Sequence, residues 1–224
     1  MSEELSREDV CRAIDALVEE LLDEAGITEP PVDAAALARH LGLEIADRAR
    51  RGRARAAPGE ATPEQTQREA ALALAEHLKD DLLARLGIED GPRPMLGESP
   101  ARLFVERLLV PQSWLVGEAR ACGYDLLELK GRFSTASHEA IAWRLLDLDQ
   151  PCVVTVIDNE RVARRRGNAG NVSKQLAPAE MACLRQVQKY SRPCRVSEDG
   201  LDVRGWPIHS ADWKREILRS VIEE

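Results

Sequence analysis

The feature that most constrains the fold is an apolar pattern of helical spacing between Thr62 and Gly87. Thr62 is placed as an N-cap, Pro63 takes the first helical position, and Gln65 completes a capping box. Alanines and leucines then recur at three- and four-residue spacing as far as Leu86, and Gly87 is placed to end the helix. We therefore predict one long amphipathic helix in this segment.

Helical spacing recurs through most of the chain. Further helices are predicted over residues 10–21, 34–41, 100–110, 125–130, 135–146, 178–190 and 210–221. A clear strand comes late, at residues 153–157, and a turn at 158–160 leads to a hairpin partner at 161–166. Short strands are also predicted at 43–46 and 201–204. The pattern indicates an α+β protein in which helices dominate.

Two regions are predicted along the chain. The first covers residues 1–150, and the second is a C-terminal hairpin with a helical extension over residues 151–224. A flexible joint is expected near Gly167, because Gly167 to Asn171 is rich in glycine and asparagine.

Charge and cysteine content narrow the class of protein. The formal net charge is −8, which does not favour nucleic acid or an anionic membrane as a partner. The acidic, polar start is unlike a secretory signal, and the longest apolar runs fall short of the roughly 20 residues that a membrane span needs. The five cysteines contain no CxxC pair. A cytoplasmic, reduced protein is expected.

The residues that suggest chemistry lie within the long predicted helix, in the sequence Glu76-His77-Leu78-Lys79-Asp80. A zinc peptidase helix carries H-E-x-x-H, with two histidines at i and i+4 that reach one metal ion. Here Glu76 and Asp80 have that spacing, and His77 and Asp81 offer a second register. The helical wheel places Glu76 and Asp80 away from the apolar face, so a solvated charged face explains the same residues.

Three ordered segments resemble the ImmA/IrrE family of bacterial metallopeptidases. They are PPVD followed by LARHLGL within residues 30–43, ESPARLFVERLLVP at 98–111, and FSTASHEAIAWRL at 133–145. The resemblance covers roughly residues 30 to 146. It implies a helix-dominated, zincin-like metallopeptidase core with a small β-hairpin or sheet and a C-terminal helical region.

The resemblance also implies a zinc-dependent endopeptidase that cuts a regulatory protein such as a transcriptional repressor, often in stress responses. Glu76 and Asp80 match the two metal histidines, His77 matches the general-base glutamate, and Glu98 matches the region of the third ligand. Each helix position departs from the full motif. A carboxylate set suits Mg²⁺ or Mn²⁺ better than zinc, and His77 is able to act as a base near neutral pH.

Three functions therefore stay open at this stage. The chain is a metal-dependent endopeptidase, or a catalytically degenerate member that binds a regulator through the same cleft, with no metal needed. The third function is DNA binding by a helix-turn-helix over residues 125–146. The acidic chain, with Glu139 and Asp147 on the second helix, makes nucleic acid the less favoured partner. The arginine run at 164–166 suits an edge-strand guard or a solvated face, or else a docking patch for an acidic partner or nucleic acid.

Overall fold

The computed structural model describes residues 6–43, 62–87, 99–209 and 213–222. These residues form an α+β fold. The predicted strand at 43–46, apart from Leu43, lies outside the described residues, as does Glu98. The described α-helices are α1 (Arg7–Glu24), α2 (Ala34–His40), α3 (Pro63–His77), α4 (Lys79–Arg85), α5 (Pro100–Leu109), α6 (Gln112–Ala121), α7 (Leu126–Arg132), α8 (His138–Arg144) and α9 (Pro178–Tyr190).

The strands that the structure describes all follow the eighth helix. A 3-10 turn over Leu145–Asp147 leads into them. They are β1 (Cys152–Asp158), β2 (Arg161–Gly167), β3 (Cys194–Glu198), β4 (Leu201–Pro207) and β5 (Arg215–Ile222). No helix among the described ranges is long and apolar enough to cross a membrane.

The chain divides into two compact units. The first contains residues 1–121 and 131–137, and the second contains residues 122–130 and 138–224. Residues 138–150 therefore belong with the sheet, and no unit boundary falls near Gly167, which ends strand β2. The predicted boundary at residue 150 marks the end of a domain of the ImmA/IrrE type, which is a different quantity from these compact units, and it stays a prediction.

Local capping defines the helices of the first unit. The Thr62 side chain accepts a hydrogen bond from Gln65 N at 3.2 Å, and Gln65 Oε1 accepts one from Thr62 N at 2.9 Å, which confirms the predicted capping box. Asp33 caps α2 by accepting from Ala36 N at 2.9 Å, as the sequence also predicted. These bonds satisfy N–H groups that the first turn of a helix leaves without partners.

The prediction of one unbroken helix over residues 62–86 is wrong at Leu78. The ψ angle of Leu78 opens to 8°, so that α3 ends at His77 and α4 begins at Lys79. Hydrogen bonds continue on both sides, from Leu78 N to Leu74 O and from Leu82 N to Leu78 O. The local apolar pattern is satisfied by both helices, so it does not reveal the break.

The second unit is built on a five-stranded antiparallel sheet with the order β2-β1-β5-β4-β3. The predicted hairpin of β1 and β2 is confirmed. The predicted amphipathic helix over residues 210–221 is wrong, because Arg215–Ile222 is the central strand of the sheet. Both faces of β5 are covered, so its sequence lacks the alternation that identifies a half-exposed strand. Strand β3 was not predicted, and β4 extends to Pro207.

Helix α9 covers one face of this sheet. Its buried residues Ala179, Cys183 and Val187 pack against Ile157, Val203 and Leu218 from three strands. The opposite face of the sheet is contacted by residues 122–130 and by the segment that precedes β1, both of which belong to the same unit. Trp206 donates to Asp125 at 3.1 Å, and Arg219 donates to Gln150 at 2.7 Å.

Candidate functional site

The structure places three of the four predicted site residues near the junction of α3 and α4. Glu76 and His77 close α3, while Asp80 lies in the first turn of α4. All three side chains are exposed, and Asp81 of the alternative register is exposed as well. The fourth residue, Glu98, lies outside the described residues.

The packing of α3 explains this exposure. Ala71, Leu74 and Ala75 are buried and fix the inner face of the helix. Glu76 and His77 follow Ala75 on the outward side, where their charges and hydrogen-bonding groups remain hydrated. Among residues 6–43, 62–87, 99–209 and 213–222, three or more His, Cys, Asp or Glu side chains nowhere converge in a group that could hold a metal ion. The described candidates therefore stand as separate solvated groups.

The predicted helix-turn-helix has a buried second helix. In α8, Ile141, Ala142, Trp143 and Arg144 are all buried. Arg144 is 1% exposed and pairs with Asp147. A recognition helix has to present polar side chains to base edges, so this burial argues against α8 in that role.

Glu139 of α8 is part of a charged cluster that sequence reasoning missed. Its carboxylate accepts from Trp143 Nε1 at 3.0 Å and from Arg215 Nη1 at 2.7 Å, and it also pairs with Arg164. Arg215 donates from Nε to Asp158 at 2.6 Å. Hydrogen bonding from Arg215 holds the pKa of Asp158 below its usual value despite partial burial. These bonds fasten α8 to strands β1, β2 and β5.

A second polar cluster lies between α9 and the sheet. Glu180 is 1% exposed and accepts from both terminal nitrogens of Arg165, at 2.9 Å each. Ser220 Oγ and Ala177 N donate to the same carboxylate at 2.5 and 2.8 Å. Four donors thus compensate the buried charge, as such a charge requires.

The arginine run at 164–166 therefore does not form one uniform patch. Arg165 points to Glu180, whereas the guanidinium groups of Arg164 and Arg166 lie over the Trp143 ring at 6.0 and 5.3 Å from its centroid. Alternation along strand β2 is the signal that separates them, because neighbouring residues of a strand point to opposite faces. Strand β2 is an edge strand, as predicted, but Arg165 is not a solvated or docking side chain because it pairs with Glu180.

Strand β5 supplies one further pair of polar groups. His209 Nε2 and Glu216 Oε1 are 3.1 Å apart, and the Glu216 side chain is almost fully buried. The second carboxylate oxygen of Glu216 has no hydrogen-bond partner among the described residues. This pair was not predicted from the sequence, because Glu216 was placed in a helix over residues 210–221 and lies in strand β5 instead.

Comparison with known proteins does not assign the chain to a class: no protein-family model and no curated protein matches it.

Proposed function

We propose that this chain is an ImmA/IrrE-like protein with a degenerate metal site, which acts by binding a regulatory protein instead of cutting it. The partner class that the family resemblance implies is a transcriptional repressor. The observation that carries the proposal is the placement of Glu76, His77 and Asp80 as exposed groups on two helices that meet at Leu78.

The chemistry of these groups supports the same conclusion. Zinc in proteins is bound by preformed sets of imidazole, thiolate and carboxylate ligands, and catalytic sites use three of them. His77 is the one imidazole in this set, and the family resemblance gives it the place of the base instead of a ligand place. Water competes for exposed carboxylates, so Glu76 and Asp80 alone are weak ligands for a divalent ion.

Metal-dependent hydrolysis is the alternative function. In it, Glu76, Asp80 and Glu98 hold a divalent cation and His77 takes a proton from water. Glu98 would have to bring a third carboxylate to two exposed ones. Such a trianionic set suits Mg²⁺ or Mn²⁺ better than zinc.

Partner capture tests the proposal against the alternative. The purified chain would be used to isolate a partner from the source cells, and the partner would then be purified and incubated with the chain with and without zinc or manganese. The proposal predicts a stable complex and an intact partner mass under all conditions. A partner shortened at one bond only when metal is present, with the effect lost in His77→Ala, would establish the peptidase instead.

Two variants test whether the remnant of the metal helix contributes to any cleavage of the partner. Glu76→Ala and Asp80→Ala remove the remnant of the metal helix without touching the buried face of α3. The proposal allows these variants to alter partner affinity, but it requires them to leave the intact partner mass unchanged.

A further inference from the structure

Arg204 and Arg219 are paired directly across strands β4 and β5 in the second unit. Residues opposite each other in an antiparallel ladder project from the same face, and like charges in that position destabilise the sheet. Arg219 is 4% exposed, so its charge receives little screening from water. Two neighbouring cations in such a place need a compensating negative charge.

The other buried arginines have that compensation. Arg107 and Arg144, at 3% and 1% exposure, pair with Asp15 and Asp147 respectively. Arg165 is paired with Glu180. Within the described part of the chain, Arg204 and Arg219 have no carboxylate partner, which sets this pair apart.

Neutral groups hold the two guanidinium groups in place. Arg204 Nη1 donates to the Gly123 carbonyl at 2.7 Å, and Arg219 Nη2 donates to Gln150 Oε1 at 2.7 Å. The Tyr124 ring lies against Arg219, with 4.5 Å between the guanidinium carbon and the ring centroid. Tyr124 adopts a φ of 63°, a costly conformation for a tyrosine.

Both arginines also retain unused donors. The Nε groups of Arg204 and Arg219 are buried and have no hydrogen-bond partner among the described residues. Burial lowers the pKa of Arg219, and the charge of Arg204 lowers it further, while the Cys152 thiol and Tyr124 hydroxyl act in the opposite direction. The charged state of Arg219 is thus less favoured than usual in the absence of an anion.

Two acidic side chains of the same unit, Asp125 and Asp202, are engaged with other partners. Asp125 accepts from Trp206 Nε1 at 3.1 Å and from Leu127 N at 2.9 Å. Asp202 accepts from Arg195 Nε at 2.6 Å. Neither carboxylate pairs with Arg204 or Arg219, so within residues 6–43, 62–87, 99–209 and 213–222 the compensating charge is not supplied, and an anionic ligand is able to supply it.

We propose that Arg204 and Arg219 form an anion site for a phosphate group, either free or as a phosphomonoester. Two guanidinium groups match the two negative charges of phosphate near neutral pH, and their planar forks suit its tetrahedral oxygens. Gly123, Tyr124 and Gln150 orient the guanidinium groups and do not neutralise them. The site is distinct from Glu76, His77 and Asp80 and does not depend on their role.

Calorimetric titration of the full chain with inorganic phosphate tests the site, with sodium chloride at matched ionic strength as the reference. We expect one phosphate per chain and a rise of the melting temperature with phosphate concentration. Arg204→Gln is expected to weaken phosphate binding about tenfold, since it removes a charged donor. Arg185→Gln, which removes an exposed arginine from α9, serves as the charge-matched control and should bind as the unmodified chain does.

A stability measurement without phosphate distinguishes a ligand site from a purely structural pair. Relief of like-charge repulsion predicts that Arg204→Gln is as stable as the unmodified chain, or more stable, in phosphate-free buffer. Competition by O-phosphoserine would identify a phosphomonoester ligand, and its absence would identify free phosphate. An equal phosphate response in Arg204→Gln and the unmodified chain, or no response in either, would overturn the proposal.

Discussion

Arg165 and Glu180 form a two-point ion pair that links edge strand β2 to helix α9, with both nitrogen–oxygen distances at 2.9 Å. The two side chains are 10% and 1% exposed. The pair lies between helix α9 and the sheet, and it joins this helix to strand β2. Replacement of one of the two residues by a neutral residue leaves the charge of the other buried without its main partner.

The first prediction concerns this pair. Arg165→Met should lower the free energy of unfolding by about 3–5 kcal/mol, because the buried carboxylate of Glu180 loses its cation. Arg161→Met, at the exposed start of the same strand, should change it by less than about 0.5 kcal/mol. Urea denaturation of both variants gives the comparison. Equal midpoints for the two variants would show that the ion pair does not stabilise the fold.

The second prediction concerns Gly205, which lies where α9 approaches the sheet. A Cβ at this position would be 2.7 Å from Val187 Cγ2, 2.8 Å from Leu218 Cδ2 and 3.0 Å from Cys183 Sγ. Gly205→Ala should therefore destabilise the protein by about 1–3 kcal/mol through overpacking. Thermal or urea unfolding would measure this loss.

Gly117 provides the matched control for the same substitution. It is exposed within α6, and an added Cβ would meet nothing within 4 Å. Gly117→Ala should stabilise the protein by roughly 0.5–1 kcal/mol, because alanine is the better helix former. The opposite signs of the two changes are the expected result, and a stabilising Gly205→Ala would contradict the close packing of α9.

The third prediction concerns alkaline pH. Burial, with the neighbouring Cys194 thiol, raises the pKa of Cys183 from 9.0 to about 12. The folded chain therefore keeps this proton at pH values where the unfolded chain loses it. The resulting stabilisation is complete below pH 9 and is lost as the pH rises from 9 toward 12.

Cys183→Ala isolates this contribution. Below pH 9 the variant should differ from the unmodified chain by a constant offset from the lost side chain. Above pH 9 the stability of the unmodified chain should fall more steeply, by about 1 kcal/mol per pH unit relative to the variant. Urea midpoints between pH 7 and 10.5 measure the two slopes, and parallel slopes would refute the assignment to Cys183.

The sequence predicted those elements that local chemistry defines. The Thr62–Gln65 capping box, the Asp33 cap and the tight turn between β1 and β2 each depend on residues within a few positions of one another. Strand β5 depends on hydrogen bonds to β1 and β4, whose paired residues lie 57 to 69 and 9 to 21 positions away along the chain. Its residues Ile217 and Leu218 satisfy a helical pattern equally well, so the choice between helix and strand depends on pairing with β1 and β4.

The candidate sites show the same division. The spacing of Glu76 and Asp80 follows from sequence, and the helical wheel also predicted that both point away from the apolar face, which the structure confirms. The break between them at Leu78 was not predicted. The pairing of Arg204 with Arg219 was invisible, because it follows from the register of two strands, one of which was predicted as a helix. Charge compensation between distant residues requires knowledge of the tertiary fold.

The metal content of the purified chain tests the central claim most directly. Elemental analysis after expression in zinc-supplemented medium, without metal-chelating purification, should find well below one zinc or manganese per chain. Glu76→Ala and Asp80→Ala should leave that value unchanged. About one tightly bound metal ion per chain, lost in both variants, would contradict the account and establish a working metal site at the junction of α3 and α4.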